Sequence, residues 1–171
     1  MALSDSNARL SRSIQIRSAT RDDAQRIAAV INAAFHPVEG FFIDGDRIDL
    51  QSVFSYLESG TFLLAENDGA LLGCVYLELL LDRRGHHAYL GLLAVDPQQQ
   101  QFGVGSMLMD AGEDYCRRNG ASVMDIKVVD LRQELIGFYE KRGYVETGTS
   151  PFPENIETKL PVHFIDMSKE L

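Results

Sequence analysis

The chain has 171 residues, the length of one ordinary domain. Apolar residues make up 45% and charged residues 24%, close to the average of globular proteins, so a disordered or fibrous chain is excluded. The 25 Asp and Glu residues outnumber the 16 Lys and Arg residues, and the formal net charge is −9. Because such a chain repels phosphate backbones and anionic lipids, we expect neither a nucleic-acid partner nor a membrane partner.

Residues 1–13 are polar and lack the apolar segment of a signal peptide, so we expect a flexible tail followed by one domain over residues 14–171. The two cysteines, Cys74 and Cys116, lie far apart and without a CxxC spacing. A reducing, cytoplasmic location fits these features. The four histidines are scattered without metal-ligand spacing, so no metal site is expected.

The first half of the chain predicts two helices and an antiparallel meander. The spacing of apolar residues predicts a strand at 14–17 and helices at 20–36 and 48–57. It then predicts three strands, at 61–65, 71–81 and 87–95. His36-Pro37 is expected to end the first helix. The turns 66–69 and 82–85 join the last three strands, and their Asn, Asp and Gly residues suit tight hairpins.

The second half of the chain predicts a crossover. We expect helices at 104–119 and 131–142. Strands are expected at 123–129, 144–147 and 162–167. The connection from the strand at 87–95 through a helix to 123–129 makes those two strands parallel. We therefore expect one mixed α/β domain, with a central, mostly antiparallel sheet of six or seven strands flanked by about four helices.

A polar loop opens the helix that begins at Val104. Gly103 and Gly105 carry no side chain, so an anion can approach the N–H groups that lack partners in the first helical turn. The helix dipole favours the same ligand. The loop lacks the GK[ST] of a P-loop and the third glycine of a dinucleotide fingerprint. Spacing alone leaves a phosphate cradle and a glycine-rich helix entry without function as alternatives.

Three segments carry a family resemblance. Gln100 to Gly105 resembles the acyl-CoA pyrophosphate loop, Arg/Gln-x-x-Gly-x-Gly/Ala, of the GNAT superfamily of N-acetyltransferases. Leu92 to Pro97 is similar to the fourth strand of that family, and Phe138 to Tyr144 is similar to its Phe-Tyr-Glu-Lys-x-Gly-Phe segment. The element order is similar from residue 14 to about residue 167. The resemblance implies a GNAT-type fold and an enzyme that moves an acetyl group from acetyl-CoA directly to a primary amine.

The resemblance also assigns roles to residues. Pantetheine would lie along the backbone of Leu93, Ala94 and Val95. The pyrophosphate would lie on Gln100, Gln101, Phe102, Gly103, Val104, Gly105 and Ser106. Tyr139 matches the tyrosine that faces the thioester sulfur in the family. It is the expected catalytic acid, because a phenol can donate a hydrogen bond or a proton to the departing thiolate.

The catalytic base departs from the family pattern. Some members carry a glutamate on the fourth strand at the position that is Tyr89 here. Glu78, on the neighbouring strand, is the nearest carboxylate in sequence and is the expected base, with Tyr89 or water as alternatives. The Asn that often begins the tyrosine helix is also missing, and Arg132 or Gln133 takes its place.

The acceptor is expected to be a small-molecule or peptide amine. Acidic and aromatic residues of two loops suit a cationic amine; they are His36, Glu39, Phe41, Phe42, Asp44, Asp46, Phe152 and Glu154. Dimers are common in the family, so a homodimer is one expected assembly. Two other classes stay open: a non-catalytic acyl-CoA-binding sensor or interaction module on the same fold, and a nicotinamide-dependent oxidoreductase, which the missing third glycine disfavours.

Overall fold

The computed structural model describes residues 13–80 and 85–171, except for the side chain of Gln101. The predicted tail lies outside the described residues apart from Ser13, and the predicted turn at 82–85 lies outside them apart from Gly85. No helix among the described residues is long and apolar enough to cross a membrane.

Within these ranges, seven strands form one mixed sheet in the order β1-β2-β3-β4-β5-β7-β6. The strands are β1 (Gln15–Ser18), β2 (Thr61–Asn67), β3 (Ala70–Leu80), β4 (His87–Val95), β5 (Val123–Val129), β6 (Val145–Pro151) and β7 (His163–Glu170). The same ranges contain four α-helices, α1 (Ala24–Glu39), α2 (Leu50–Ser59), α3 (Val104–Arg118) and α4 (Gln133–Lys141). Only β4 and β5 run parallel among the pairs described. The predicted fold class is confirmed.

The hairpin between β2 and β3 shows how local sequence sets the meander. Asp68 and Gly69 occupy its tip with φ of 49° and 79°. Two consecutive positive φ angles give the turn whose twist matches that of paired strands, and Asp and Gly tolerate them. The predicted antiparallel pairing of β2, β3 and β4 is therefore confirmed.

Helices cover both faces of the central strands, so β3 is buried almost continuously from Leu72 to Leu77. On one face, a core that includes Leu108 of α3 and Met124 of β5 packs around α3 and α4. On the other face, a core that includes Ile27 of α1 and Phe62 of β2 packs under α1 and α2. Each fully buried large apolar side chain contributes about 1.5–3 kcal/mol to folding.

The sequence predicts that the first helix ends at His36-Pro37, and this prediction is wrong. The helix continues to Glu39. Pro37 lacks an N–H, so its presence removes one helical hydrogen bond, and near the end of the helix this loss affects a single turn. The N–H of Gly40 donates to the carbonyl of His36 at 3.1 Å and closes that turn. The extension matters because it places Glu39 in helical geometry at the end of α1.

Candidate active site

The gap between β4 and β5 positions the site. The two strands pair at three positions, the last being Tyr89 with Asp125, and β4 continues to Val95 beyond this point. A cavity of about 500 Å³ lies there. Its walls come from both strands, from the end of α1, from α4 and from Gly105 in the first turn of α3. One continuous space therefore joins the start of α3 to the helix that carries Tyr139.

A bulge in β4 turns backbone groups at the gap. Cys74 lies opposite Ala94 and Tyr76 opposite Gly91, so Leu92 and Leu93 together face the single residue Val75. Leu92 has a φ of 49°, which is uncommon for a leucine. Its carbonyl oxygen lies 3.9 Å from the Cys74 thiol of β3. Because a trans peptide points its N–H opposite to its C=O, the N–H of Leu93 lies on the side of its peptide opposite to the Leu92 oxygen.

The loop before α3 is shaped by its own polar groups. The carboxylate of Asp96 accepts a hydrogen bond from the N–H of Gln98 at 2.9 Å and starts a short 3₁₀ helix, Pro97–Phe102. Gly103 then adopts a φ of 74° and leads into α3. A glycine tolerates this conformation at no steric cost. The side chain of Gln100 approaches the carbonyl of Val95 at 3.4 Å.

The predicted cofactor residues divide by location. Leu93, Val95, Gln100 and Gly105 line the cavity. The side chains of Ala94 and Val104 are buried in the two cores, so these two residues can offer a ligand only their backbone, whereas Phe102 is partly buried against one core. Gly103 and Ser106 are exposed at the first turn of α3, and the side chain of Gln101 lies outside the described ones.

Tyr139 lies on α4, is 8% exposed and lines the cavity. Burial raises the pKa of its hydroxyl to about 12, against smaller opposing effects of Arg132 and Arg142. The phenol is therefore protonated across the neutral range and remains a hydrogen-bond donor. Its ring stacks edge-on against Tyr144, with 5.7 Å between the centroids.

Glu78 lies outside the residues that line this cavity. Its carboxylate accepts a hydrogen bond from the hydroxyl of Tyr76 at 2.9 Å. Glu78 pairs across the sheet with Tyr89, which does line the cavity. Burial raises the pKa of Tyr89 to about 12, with smaller contributions that include Glu78 and Tyr139. The hydroxyl of Tyr89 lies over Gly91, where a Cβ would meet it at 2.6 Å, so a larger residue at position 91 would displace the Tyr89 ring.

Glu39, Arg47 and Arg132 form a charged cluster in the cavity wall, and the sequence indicates only part of it. Glu39 is 5% exposed and lies between two guanidinium groups, with Oε2 3.6 Å from Nε of Arg47 and Oε1 4.0 Å from Nη1 of Arg132. Burial raises the pKa of Glu39, and the two arginines oppose that rise. All three residues line the cavity. Arg47 was missed because its loop contains no recognisable motif.

Two hydrogen-bond sets hold this cluster in place. The side-chain amide of Asn32 in α1 accepts from the N–H of Ile48 at 3.0 Å and donates to its carbonyl at 2.9 Å, which fixes the backbone next to Arg47. The carbonyl of Glu39 accepts from the N–H groups of Phe42 and Ile43 at 3.0 and 2.9 Å. The cluster is therefore attached to rigid backbone rather than to a free loop.

The aromatic residues expected at the acceptor site have another role. Phe42 and Phe152 are buried together, with 6.4 Å between their rings, in a small core that includes Val129, and neither lines the cavity. Asp44 instead pairs with Lys159 at 2.8 Å on the surface. Of the eight residues proposed for the acceptor site, only Glu39 lines the cavity.

Comparison with known proteins agrees with this geometry. Residues 25–144, more than half of the chain, match the Acetyltransferase (GNAT) family. The chain belongs to this family. The resemblance seen in the sequence is confirmed.

Several relatives of this GNAT protein are named as acetyltransferases. A mycothiol acetyltransferase of Propionibacterium freudenreichii is 26% identical over 75% of this chain and 42% of that protein. Another, from Sanguibacter keddieii, is 33% identical over 72% of this chain and 40% of that protein. The chain thus spans about two fifths of these relatives. The S-(2-succino)cysteine N-acetyltransferase of Bacillus subtilis is 24% identical over 77% of this chain and 84% of that protein.

Solved structures share the GNAT fold. The ribosomal-protein-alanine N-acetyltransferase of Brucella melitensis aligns with a TM-score of 0.73 at 20% identity, covering 92% of this chain and 99% of that chain. The protein yncA of Salmonella typhimurium, solved with its cofactor acetyl-CoA, aligns with a TM-score of 0.70 at 20% identity, covering 93% and 94%. Among the described residues of this chain, no group of three or more His, Cys, Asp or Glu residues could hold a metal ion.

Proposed function

We propose that this GNAT protein transfers an acetyl group from acetyl-CoA to the primary amine of a small molecule. One observation carries the proposal: a single cavity contains the unpaired edge of β4, Gly105 at the start of α3 and the buried phenol of Tyr139. A phosphate-binding helix end, an open strand edge for an extended cofactor arm and a proton donor are what thioester aminolysis requires.

Acetyl-CoA would bind along the gap as a substrate. Its pantetheine arm would pair with the backbone of Leu93, Ala94 and Val95, as an added strand pairs with a sheet edge. Its pyrophosphate would accept hydrogen bonds from N–H groups between Gln100 and Ser106, including those that lack helical partners in the first turn of α3. Such a site uses backbone donors, so it is compatible with the net charge of −9.

The transfer itself is direct. The amine nitrogen attacks the thioester carbonyl carbon, a C–N bond forms, and the C–S bond breaks with its electron pair leaving on sulfur. Negative charge develops on the carbonyl oxygen, and the N–H of Leu93, within the bulge of β4, is the proposed donor to it. The nitrogen loses one proton and the sulfur gains one, so the products are an acetamide and CoA.

Tyr139 is the proposed donor to the leaving sulfur. A thiol has a pKa of about 8.5, whereas the pKa of Tyr139 is raised to about 12. Complete proton transfer from this phenol to a free thiolate is therefore unfavourable. A hydrogen bond that strengthens as charge develops on sulfur is favourable, and Tyr139 acts through it.

The base that takes the proton from the amine is proposed to be Glu78, acting through the neighbouring Tyr89 or through water. Glu78 and Tyr89 are directly paired across β3 and β4, and Tyr89 reaches the cavity. An amine with a pKa near 10 is mostly protonated at neutral pH, so a proton acceptor is needed before attack.

A turnover assay tests the function. The protein is incubated with acetyl-CoA and a panel of primary amines, and free thiol is followed together with acetylated product. We expect Tyr139→Phe to lower kcat at least about tenfold with unchanged CoA affinity. Tyr115→Phe is the matched control, because its hydroxyl has only a 3.4 Å contact with Thr61 and lies outside the cavity lining. CoA binding without turnover on any amine would support the non-catalytic module instead.

A further inference from the structure

The Glu39 cluster contains buried polar atoms that have no hydrogen-bond partner among residues 13–80 and 85–171. These atoms include Oε2 of Glu39 and Nε of Arg47, one an acceptor and the other a donor. They lie 3.6 Å apart, beyond hydrogen-bonding distance, in the wall of the cavity. A buried polar atom without a hydrogen bond costs roughly 1–3 kcal/mol, so a ligand that bonded to both atoms would relieve that cost.

The charge of the cavity wall points to an anionic group. Arg47, Lys127 and Arg132 line it together with two carboxylates, Glu39 and Glu134. Glu134 pairs with Arg132 at 2.6 Å, but its side chain is 63% exposed, so solvent screens that charge. The buried part of the cluster therefore holds two guanidinium groups against the single carboxylate of Glu39, in a chain whose net charge is −9. A local positive surplus next to a reaction cavity favours a carboxylate ligand.

We propose that the acceptor is an α-amino acid, or a similar amine bearing a carboxylate, held by Glu39, Arg47 and Arg132. This inference rests on the proposed acetyl transfer. An α-amino acid carries a nitrogen donor and a carboxylate acceptor on one carbon. Its N–H groups would donate to Oε2 of Glu39, and its carboxylate would accept from Nε of Arg47. Arg132, on the other side of Glu39, would supply the second positive charge.

The rest of the wall selects the side chain of that acceptor. Phe35, Val38, Tyr89 and Phe164 line the same cavity, and the guanidinium of Arg47 lies 5.8 Å from the centre of the Phe35 ring. Apolar and aromatic walls stabilise an apolar substituent through burial. The acceptor class is therefore an amino acid with a sizeable apolar side chain, rather than the cationic amine that the acidic composition suggests.

The test compares three amines that differ at one position: L-phenylalanine, its amide, and 2-phenylethylamine. Steady-state kinetics with acetyl-CoA give a KM for each. We expect the KM of L-phenylalanine to be about tenfold to a hundredfold lower than that of the other two, the range of one or two hydrogen bonds to a charged group. The amide is a weaker base than phenylethylamine. A lower KM for L-phenylalanine than for both other amines therefore reports on the carboxylate and not on the basicity of the amine.

Variants then assign the preference to the cluster. Arg47→Met should raise the KM for L-phenylalanine about tenfold or more, leave the KM values for phenylethylamine and acetyl-CoA unchanged, and thereby remove the discrimination. Arg47→Lys should restore part of it by returning the charge. Arg21→Met is the control for the loss of one positive charge, because Arg21 lies over Phe54 at 4.0 Å and outside the cavity lining.

The outcomes separate this inference from the proposed function. Equal KM values for the three amines, or an Arg47→Met effect that is the same for all of them, overturn the inference and leave acetyl transfer standing. If Arg47→Met changes only the KM for acetyl-CoA, the arginines belong to the cofactor site, and the inference about the acceptor is overturned as well. If no amine is acetylated, the proposed function fails. Calorimetric titration of the CoA-bound protein with L-phenylalanine and with phenylethylamine then decides whether the carboxylate is recognised. Equal affinities, or no binding of either amine, refute carboxylate recognition.

Discussion

Tyr89 and Asp125 form the last pair between β4 and β5, and the cavity opens where β4 continues beyond that pair. Parallel strands are held together by regular hydrogen bonds, so a strand that loses its partner exposes a row of N–H and C=O groups. In β4 these groups line a cavity rather than bulk solvent. The same break that opens the cavity thus also leaves the backbone donors and acceptors that an extended ligand can use.

Gly105→Ala should change the KM for acetyl-CoA without lowering the stability of the protein. A Cβ at position 105 would lie 3.7 Å from Val95, an ordinary contact, so the protein itself has room for it. We expect unchanged or slightly higher stability, by up to about 1 kcal/mol, since alanine favours helix over glycine. Gly105 lines the cavity, so an added methyl would occupy space proposed for the cofactor, and the KM for acetyl-CoA should rise several-fold while kcat changes little.

Gly112→Ala, in the same helix, is the matched control for that prediction. Its Cβ would lie 3.1 Å from Leu77 and 3.3 Å from Leu90 in the core. Overpacking costs about 1–3 kcal/mol and opposes the helix gain of about 1 kcal/mol, so thermal unfolding should show lower stability than for Gly105→Ala, with an unchanged KM for acetyl-CoA. An unaltered KM in Gly105→Ala would remove the first turn of α3 from the cofactor site.

Glu78→Gln tests the proposed base. If Glu78 accepts the proton, turnover should fall about a hundredfold or more at neutral pH, and the rise of kcat/KM on the acidic side of the pH profile should be altered. Glu146→Gln, an exposed change on β6, is the control. If Glu78→Gln leaves both rate and profile intact, the proton goes to water or another group. Tyr89→Phe, measured in parallel, shows whether the phenol between Glu78 and the cavity takes part.

The regular parts of this fold follow from local sequence, whereas the site depends on features with no local signal. The bounds of β4 and β5 are predicted as the structure has them, because both segments are rich in apolar residues and breaking residues such as Asp96-Pro97 follow β4. The bulge at Leu92 could not be predicted, because a positive φ at leucine is imposed by pairing with β3 and not by leucine itself.

The charged cluster was hidden for a different reason. Glu39 and Arg47 are close in sequence, but Arg132 joins them from the start of α4, and that contact exists only once the sheet has formed. The acidic composition suggested carboxylates around the acceptor, whereas the arginines decide the local charge. Net charge averages over the whole surface, so it does not indicate the sign of a buried wall.

Asn32→Ala should weaken the acceptor site without touching the cavity. It removes both hydrogen bonds to the backbone of Ile48, and the loss should cost about 1–3 kcal/mol of stability because those buried groups lose their partners. Arg47 is the next residue along, so the KM for L-phenylalanine should rise while the KM for acetyl-CoA stays constant. Asn32→Asp keeps the acceptor for the Ile48 N–H but loses the donor, and an intermediate effect is expected. Equal changes in both KM values would indicate a general loss of structure instead.

The acid side of the stability profile should depend on Asp23. The guanidinium of Arg17 donates to both of its oxygens, at 2.8 and 2.9 Å, and the N–H of Thr20 adds a third bond at 2.8 Å. These bonds hold the pKa of Asp23 well below its usual range, the Arg17 contact being the largest cause. A carboxyl whose pKa is lower in the folded state stabilises the fold above its unfolded pKa of about 3.9, and this stabilisation disappears as the pH falls through the folded value. Because Arg17 is 42% exposed, solvent screens the pair, and a contribution of about 1–2 kcal/mol is expected.

Urea unfolding of the parent protein and of Asp23→Asn, measured from pH 7 to pH 2, checks this dependence. The difference in unfolding free energy should be constant down to about pH 4 and should then shrink as the pH is lowered further. Asp114→Asn is the control, since Asp114 is 51% exposed and its pair with Arg118 on α3 is a surface ion pair of little energetic weight. A difference that stays constant or grows on acidification would contradict this linkage, and a constant one would assign the effect of Asp23 to hydrogen bonds that do not need its charge.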